Sequence, residues 1–163
     1  MNIFHIAEIV DLGIEKEKKR RDFYALAAQR FQDNTQLKEL FVRLTDWEDQ
    51  HIKKFTEIRQ SLNETEAAES YPGELSGYMQ LLVDEQLYQE VSSEKFSANI
   101  KTVQDAIDYG IRFEKEAILF FIEVLSYAQE KEKETIKKLI AEEKEHIVYL
   151  ALLRQKIVQE GKR

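Results

Sequence analysis

Apolar residues recur at alternating steps of three and four in four long segments of this chain, and this spacing limits the possible fold more than any other feature. Residues spaced in this way share one face of an α-helix, and stripes that persist for three or more heptads are typical of helices packed side by side in a bundle. The four stripes run from Ala7 to Phe31, from Leu37 to Ile58, from Ile107 to Ala128 and from Ile136 to Ile157. The sequence therefore predicts an all-α protein built on four long helices.

The connections between the predicted helices differ in length. The third helix has a capping signature in Thr102 followed by Asp105. The turn between the third and fourth helices is predicted within Tyr127–Thr135. A longer connection separates the second helix from the third: Ser61–Gly77 is expected to be exposed, and Tyr78–Glu90 is predicted to form a shorter helix. Short links within each pair and one long link between pairs are typical of a bundle with a crossover connection.

The composition is consistent with a single soluble domain spanning residues 1–163. One proline and five glycines leave few of the turns that strands require. The net charge of −7 disfavours nucleic acid as a partner, because a phosphate backbone needs a cationic surface. The longest nearly apolar run, Ala117 to Leu125, is shorter than the roughly 20 residues that cross a bilayer, and the first residues lack the pattern of an export signal. We therefore expect a cytoplasmic protein with no membrane partner.

The chain is also an approximate duplication, because residues of the first predicted helix pair recur 95 to 97 positions later in the second pair. A shift of 97 places Glu17 on Glu114, and a shift of 95 places Glu48 on Glu143 and His51 on His146. Two helix hairpins related by a pseudo-twofold axis would present these matching residues to a shared centre.

Six positions in the four stripes hold glutamate or histidine where the pattern otherwise has leucine or isoleucine. They are Glu17, Glu48, His51, Glu114, Glu143 and His146. Glutamate is rarely buried without a partner, and four neighbouring buried carboxylates would repel one another and lose hydration. Arg21 also lies on the first stripe, but one guanidinium cannot neutralise four carboxylates. Two divalent metal ions balance this charge, and the two imidazoles complete their coordination.

These residues resemble the di-iron carboxylate motif of ferritin-like proteins, in which each half of a bundle supplies one lone glutamate and one Glu-x-x-His pair. The sequences "EKEKKRRDFY", around Glu17, and "EEKEHIVYL", around Glu143, are similar to the rubrerythrin branch of that family. The resemblance covers roughly Ile6 to Ile157. It implies a ferritin-like four-helix bundle with a long crossover that contains an extra short helix.

The resemblance also implies a cofactor of two iron ions per chain and an assignment of their ligands. In this assignment Glu48 and Glu143 would bridge the two irons. Glu17 and His51 would hold one iron, and Glu114 and His146 would hold the other. Iron is favoured by the resemblance alone, because carboxylate and imidazole ligands also accept manganese or zinc.

Two features depart from rubrerythrins proper. Those proteins carry a rubredoxin domain whose four cysteines bind an electron-transfer iron, whereas these 163 residues contain no cysteine. Disulfides and thiolate catalysis are excluded here for the same reason. Rubrerythrins also place an additional glutamate one turn beyond the ligand of the third helix, where this chain has Ala117. We therefore expect a six-ligand site that receives electrons from an external donor such as a rubredoxin.

Other residues near the predicted ligands have competing interpretations. Tyr24, two turns after Glu17, either hydrogen-bonds a ligand within the catalytic site or is an ordinary core aromatic residue. Trp47 lies off the second stripe and is expected to pack against the crossover or a second subunit. Four glutamates adjacent to predicted ligands are expected to be solvated, namely Glu15, Glu116, Glu142 and Glu145. For the six ligands themselves, the alternative is a hydrogen-bonded polar network, or a helix register that turns some of them to water.

The function implied by the resemblance is that of a di-iron oxidoreductase of rubrerythrin type. It would reduce hydrogen peroxide, or oxidise Fe(II) with dioxygen or peroxide, in defence against oxidative stress. The main alternative is an iron-binding ferroxidase for storage or delivery without peroxidase turnover. A third interpretation is a bundle whose metal ions only permit folding. Because rubrerythrin-like bundles often pair, the resemblance also implies a homodimer.

Overall fold

Five α-helices make up the part of the chain that the structure, a computed structural model, describes: residues 6–61, 91–128 and 130–160. They are α1 (Ile6–Arg30), α2 (Thr35–Ser61), α3 (Ser93–Asn99), α4 (Val103–Tyr127) and α5 (Glu130–Glu160). No strand occurs in these ranges, so the all-α prediction is confirmed. None of the described helices is long and apolar enough to cross a bilayer.

The four long helices form two antiparallel pairs, α1 with α2 and α4 with α5, each joined by a short turn. Ion pairs along the first pair show its direction, because Asp11 Oδ1 lies 2.9 Å from Arg59 Nε, and Asp49 Oδ1 lies 3.4 Å from Arg21 Nη1. Helix α1 also packs against α4, and α2 against α5, which closes the bundle. The predicted four-helix bundle is therefore confirmed.

Side-chain hydrogen bonds explain where two of the helices begin. The Leu37 N–H donates to Asn34 Oδ1 at 3.1 Å, which caps α2. The predicted capping box of α4 is present, because the Asp105 N–H donates to Thr102 Oγ1 and the Thr102 N–H donates to the Asp105 carboxylate. Helix α4 ends at Tyr127, so the turn before α5 lies at the start of the predicted range.

The connection between the two pairs contains a helix, α3, that the sequence did not predict. The side chain of Ser92 caps it by accepting a hydrogen bond from the Lys95 N–H. Phe96 is buried against Phe23, with ring centroids 5.4 Å apart. Its 7 residues complete about two turns, which is too short for a helical stripe to be recognised. The predicted helix Tyr78–Glu90 lies outside the described residues.

The buried faces of the helices follow the predicted stripes, although several stripe positions are only partly buried and α1 requires a correction. Every member of the α2 stripe is buried. In α1, Arg21 and Ile14 are only partly buried, whereas Arg20 is fully buried. Steps of three and four from Glu17 lead to Arg20 and Arg21 respectively, so spacing alone does not decide between them. Because α1 packs against both α2 and α4, it buries a broader face than one stripe.

Candidate metal centre

The six residues predicted as ligands lie together in the interior of the bundle, halfway along the four long helices. Each side chain is at most 3% exposed, and the four carboxylates are fully buried. Helices α1 and α4 each contribute one glutamate, and α2 and α5 each contribute a Glu-x-x-His pair: Glu17, Glu114, Glu48 with His51, and Glu143 with His146. The i, i+3 spacing places both members of a pair on the same face of their helix.

One half of this cluster, the His51 half, consists of Glu17, Glu48, His51 and Glu143. One ligand atom from each of these four residues lies within 4.8 Å of the others. His51 Nδ1 is 3.1 Å from Glu143 Oε1, and it is 3.6 Å from an oxygen of Glu17 and from Glu48 Oε2. Three carboxylates therefore surround one imidazole nitrogen.

The other half, the His146 half, consists of Glu48, Glu114, Glu143 and His146, whose ligand atoms also lie within 4.8 Å of one another. His146 Nδ1 is 2.8 Å from Glu143 Oε2 and 3.6 Å from both Glu48 Oε1 and Glu114 Oε1. Glu48 and Glu143 thus belong to both halves, and each presents one oxygen to one half and its second oxygen to the other.

Several of these buried oxygens lack a hydrogen-bond donor among the described residues. They are Glu17 Oε2, Glu48 Oε1, Glu114 Oε2 and Glu143 Oε2, the last of which lies near His146 Nδ1 without the geometry of a hydrogen bond. Buried polar atoms are nearly always satisfied, so four such oxygens in one cluster require an explanation. Carboxylate oxygens with imidazole nitrogens form a donor set that suits Fe, Mn and Zn ions. The residues present therefore fit a centre of divalent cations.

One protein cation, Arg20, enters the cluster from α1. Its guanidinium donates a hydrogen bond to Glu17, and it lies 3.5 Å from Glu48 Oε2 and 3.6 Å from Glu143 Oε1. The prediction that Arg21 lies on the buried stripe is wrong, because Arg20 takes that place. Arg21 instead pairs with two aspartates at the surface, Asp22 and Asp49.

The hydroxyl of Tyr24 donates a hydrogen bond to Glu114 Oε1. The tyrosine is fully buried, and burial together with the charge of Glu114 raises its pKa well above the usual range. Its hydroxyl therefore keeps its proton and acts as a donor. Space for the ring depends on Gly110, since a Cβ there would lie 3.2 Å from the Tyr24 hydroxyl. Whether Tyr24 takes part in catalysis remains a prediction.

Glu142 was expected to be solvated, but it contacts His51. Its Oε2 lies 2.9 Å from His51 Nε2, and Lys54 Nζ donates to both carboxylate oxygens at 2.7 and 2.8 Å. The hydrogen bond from His51, followed by Lys54, lowers the pKa of Glu142 to about 2. Because Glu142 accepts the Nε2–H, His51 Nδ1 faces the buried carboxylates.

Trp47 covers the other imidazole. Its ring is stacked on His146, with centroids 4.8 Å apart and planes within 4°, and Tyr149 packs beside it at 5.3 Å. Trp47 was expected to pack against the crossover or a second subunit, and its contact with His146 was not predicted. The duplication could have indicated this contact. A shift of 95 residues places Trp47 on Glu142, and Glu142 contacts the other histidine.

A polar cavity of about 200 Å³ reaches the cluster from the surface. It is lined by Trp47, Gln50, His51, Glu142, Glu145 and His146. Both candidate histidine ligands therefore form part of its wall. A small molecule can therefore approach the two histidines from this side.

The charged groups of the cluster shift one another's pKa values strongly. Burial, with the charge of Glu143, raises the pKa of Glu114 to about 8. Burial also raises the pKa of Glu17 well above its usual range, although Arg20 opposes this. For His146, burial alone would lower the pKa, but the neighbouring carboxylates raise it to about 10. The cluster therefore binds protons near neutral pH, and a metal ion must displace them because only deprotonated ligands bind metals.

An antiparallel four-helix bundle with buried carboxylates and histidines at its centre defines a class, the ferritin-like carboxylate proteins. The sequence model of the family Rubrerythrin matches residues 8–153, and the chain belongs to the rubrerythrin family. A solved structure from Thermotoga maritima, described as a ferritin-like diiron-carboxylate protein, shares its fold with a TM-score of 0.71. The two chains are 21% identical, and the match covers 95% of this chain and 97% of the other. No curated protein sequence matches significantly.

Proposed function

We propose that this protein is a di-iron oxidoreductase of rubrerythrin type that reduces hydrogen peroxide, oxidises Fe(II), or does both. The observation that carries the proposal is that Glu48 and Glu143 each offer one oxygen to the His51 half and one to the His146 half. This is the arrangement that two ions sharing bridging carboxylates require. Glu17 with His51, and Glu114 with His146, would be the terminal ligands.

Iron ions bound in the two halves would supply two electrons, which together with two protons taken from solvent convert one hydrogen peroxide to two waters. The surrounding residues would control access and geometry. The cavity beside His51 and His146 admits a small oxidant. Tyr24 would orient Glu114, and Glu142 would orient His51. Electrons for a second turnover would come from an external donor such as a rubredoxin.

Stopped-flow mixing of the Fe(II)-loaded full chain with peroxide, and separately with dioxygen, tests this proposal. We expect iron oxidation by at least one of the two, with reduction of peroxide in repeated turnovers when a reduced donor is present. Indifference to both oxidants would exclude an oxidoreductase. Ferric iron accumulating beyond two ions per chain, without peroxide turnover, would instead indicate iron storage or delivery.

Replacing Tyr24 by phenylalanine is expected to slow the oxidation of the loaded iron about 10- to 100-fold, because Glu114 loses the hydrogen bond that orients it. The readout is the stopped-flow rate, with circular dichroism to confirm that the fold is unchanged. Tyr149→Phe is the matched control, since Tyr149 is 40% exposed and lies outside the cluster. Equal rates in Tyr24→Phe and the parent chain would leave Tyr24 as a packing residue.

Replacing Glu142 by glutamine is expected to weaken Mn(II) binding in the His51 half about 10- to 100-fold. The neutral amide accepts the Nε2–H more weakly than the carboxylate and can turn its NH2 group to the ring, so it no longer fixes the tautomer of His51. Metal titration followed by Mn(II) electron paramagnetic resonance measures this. Glu145→Gln removes another carboxylate from the same cavity wall and should leave binding unchanged. A similar loss in both variants would point to the overall charge of the cavity rather than to the contact with His51.

A further inference from the structure

The pseudo-twofold symmetry of the cluster is broken by the residues around it. At three pairs of positions related by the repeat, the two halves carry different side chains: Arg20 and Ala117, Tyr24 and Phe121, Trp47 and Glu142. All but Trp47 and Glu142 are at most 1% exposed, so these differences act inside the bundle. The ligands follow the repeat, whereas these six residues around them do not.

The most consequential difference is the charge of Arg20. Its guanidinium contacts Glu17, and it contacts the shared Glu48 and Glu143 at the oxygens that face His51. The position related to it by the repeat is Ala117, which is fully buried and uncharged. In the His146 half the corresponding terminal glutamate, Glu114, receives its hydrogen bond from the neutral hydroxyl of Tyr24.

Another charged pair near the His51 half does not offset Arg20. Glu142 is negative and accepts from His51, but Lys54 Nζ lies 2.7 Å from the same carboxylate and balances its charge. The net effect around the His51 half is therefore one buried positive charge in direct contact with the candidate ligands. Charges interact strongly at such short range between fully buried side chains.

A divalent ion entering the His51 half meets two obstacles that are weaker in the His146 half, where Arg20 contacts neither Glu114 nor the oxygens of Glu48 and Glu143 that face His146. It is repelled by the guanidinium, and it must compete for carboxylate oxygens that already accept hydrogen bonds from Arg20. We propose that the two halves bind divalent cations with unequal affinity, the His146 half binding first and more tightly, because Arg20 partly neutralises the His51 half. This inference rests on the proposed metal centre.

Calorimetric titration of the chelator-treated full chain with Co(II), followed in parallel by the visible absorption of the bound metal, tests the inference. We expect two binding events whose dissociation constants differ by at least about tenfold. Two events of equal affinity would overturn the inference while leaving the metal centre intact. Absence of any Co(II) binding would instead overturn the metal centre on which both proposals rest.

Arg20→Gln removes the charge while keeping a side chain of similar polarity, and it should bring the two dissociation constants to within about threefold. Arg21→Gln is the matched control, because it removes the same charge one residue away, at a side chain paired with surface aspartates. Its titration should be that of the parent chain. An unchanged ratio in Arg20→Gln, or an equal effect of Arg21→Gln, would overturn the role of Arg20.

Two ligand variants assign the order of binding even if Arg20→Gln fails to fold. Glu114→Gln should abolish the tighter event and leave the weaker one. Glu17→Gln should abolish the weaker event and leave the tighter one within about threefold of the parent value. The reverse assignment would contradict the proposed order.

Discussion

Replacing Glu143 by glutamine is expected to lower the affinity of the chain for divalent metal by more than about a hundredfold and to abolish metal-dependent turnover. Loss of an outer hydrogen-bond partner costs about 10- to 100-fold, and Glu143 would be a direct ligand shared by both ions. The amide keeps the volume of the side chain, so the bundle should still form. Metal content after dialysis against limiting Fe(II), together with peroxide consumption, measures both effects.

Glu134→Gln is the control for this substitution. Glu134 is an exposed glutamate on the same helix, α5, and the change removes the same charge without touching the cluster. Its metal content and turnover should match those of the parent chain. Retention of two ions per chain in Glu143→Gln would contradict the bridging role that the geometry supports.

Loading the chain with metal is expected to raise its melting temperature by about 5 to 10 °C for each bound ion, when the free metal concentration is about a hundred times the dissociation constant. A ligand that binds only the folded state stabilises it by about 2.7 kcal/mol at that excess. Each kcal/mol corresponds to about 2–4 °C for a chain of this size. The folded state is stabilised because the cations relieve the repulsion among four fully buried carboxylates.

Differential scanning calorimetry of the chelator-treated chain, with and without Mn(II), measures this shift. In Glu48→Gln the shift should fall below half, because the amide keeps only one of the two oxygens that Glu48 presents to the halves and removes the negative charge that both halves share. Mn(II) that left the melting temperature of the parent chain unchanged would show that no ion is bound specifically to the folded state.

The helices were predictable because their stripes are long and repeated. The α2 stripe from Leu37 to Ile58 is buried at every predicted position. The six polar members of the stripes lie on the same helix faces as the apolar members, so the bundle brings them into one cluster. Their identity as metal ligands stays a prediction that the geometry supports.

The features that the sequence did not reveal depend on contacts between elements. Arg20 could not be separated from Arg21, because the choice depends on how α1 packs against both α2 and α4. Glu142 lies at the edge of the buried face of α5, where burial is ambiguous from spacing. Only the packing of α5 against α2 brings it to His51 and Lys54. Helix α3 was too short to produce a periodic signal.

The stacking of Trp47 on His146 has a practical consequence. Trp47 is the only tryptophan in the chain, so all indole emission of the protein arises beside one face of the candidate centre. Quenching of that fluorescence by a paramagnetic ion would report occupancy of the nearer half directly. The chain therefore carries its own optical probe, and the kinetics of loading and release can be followed without a dye or a label.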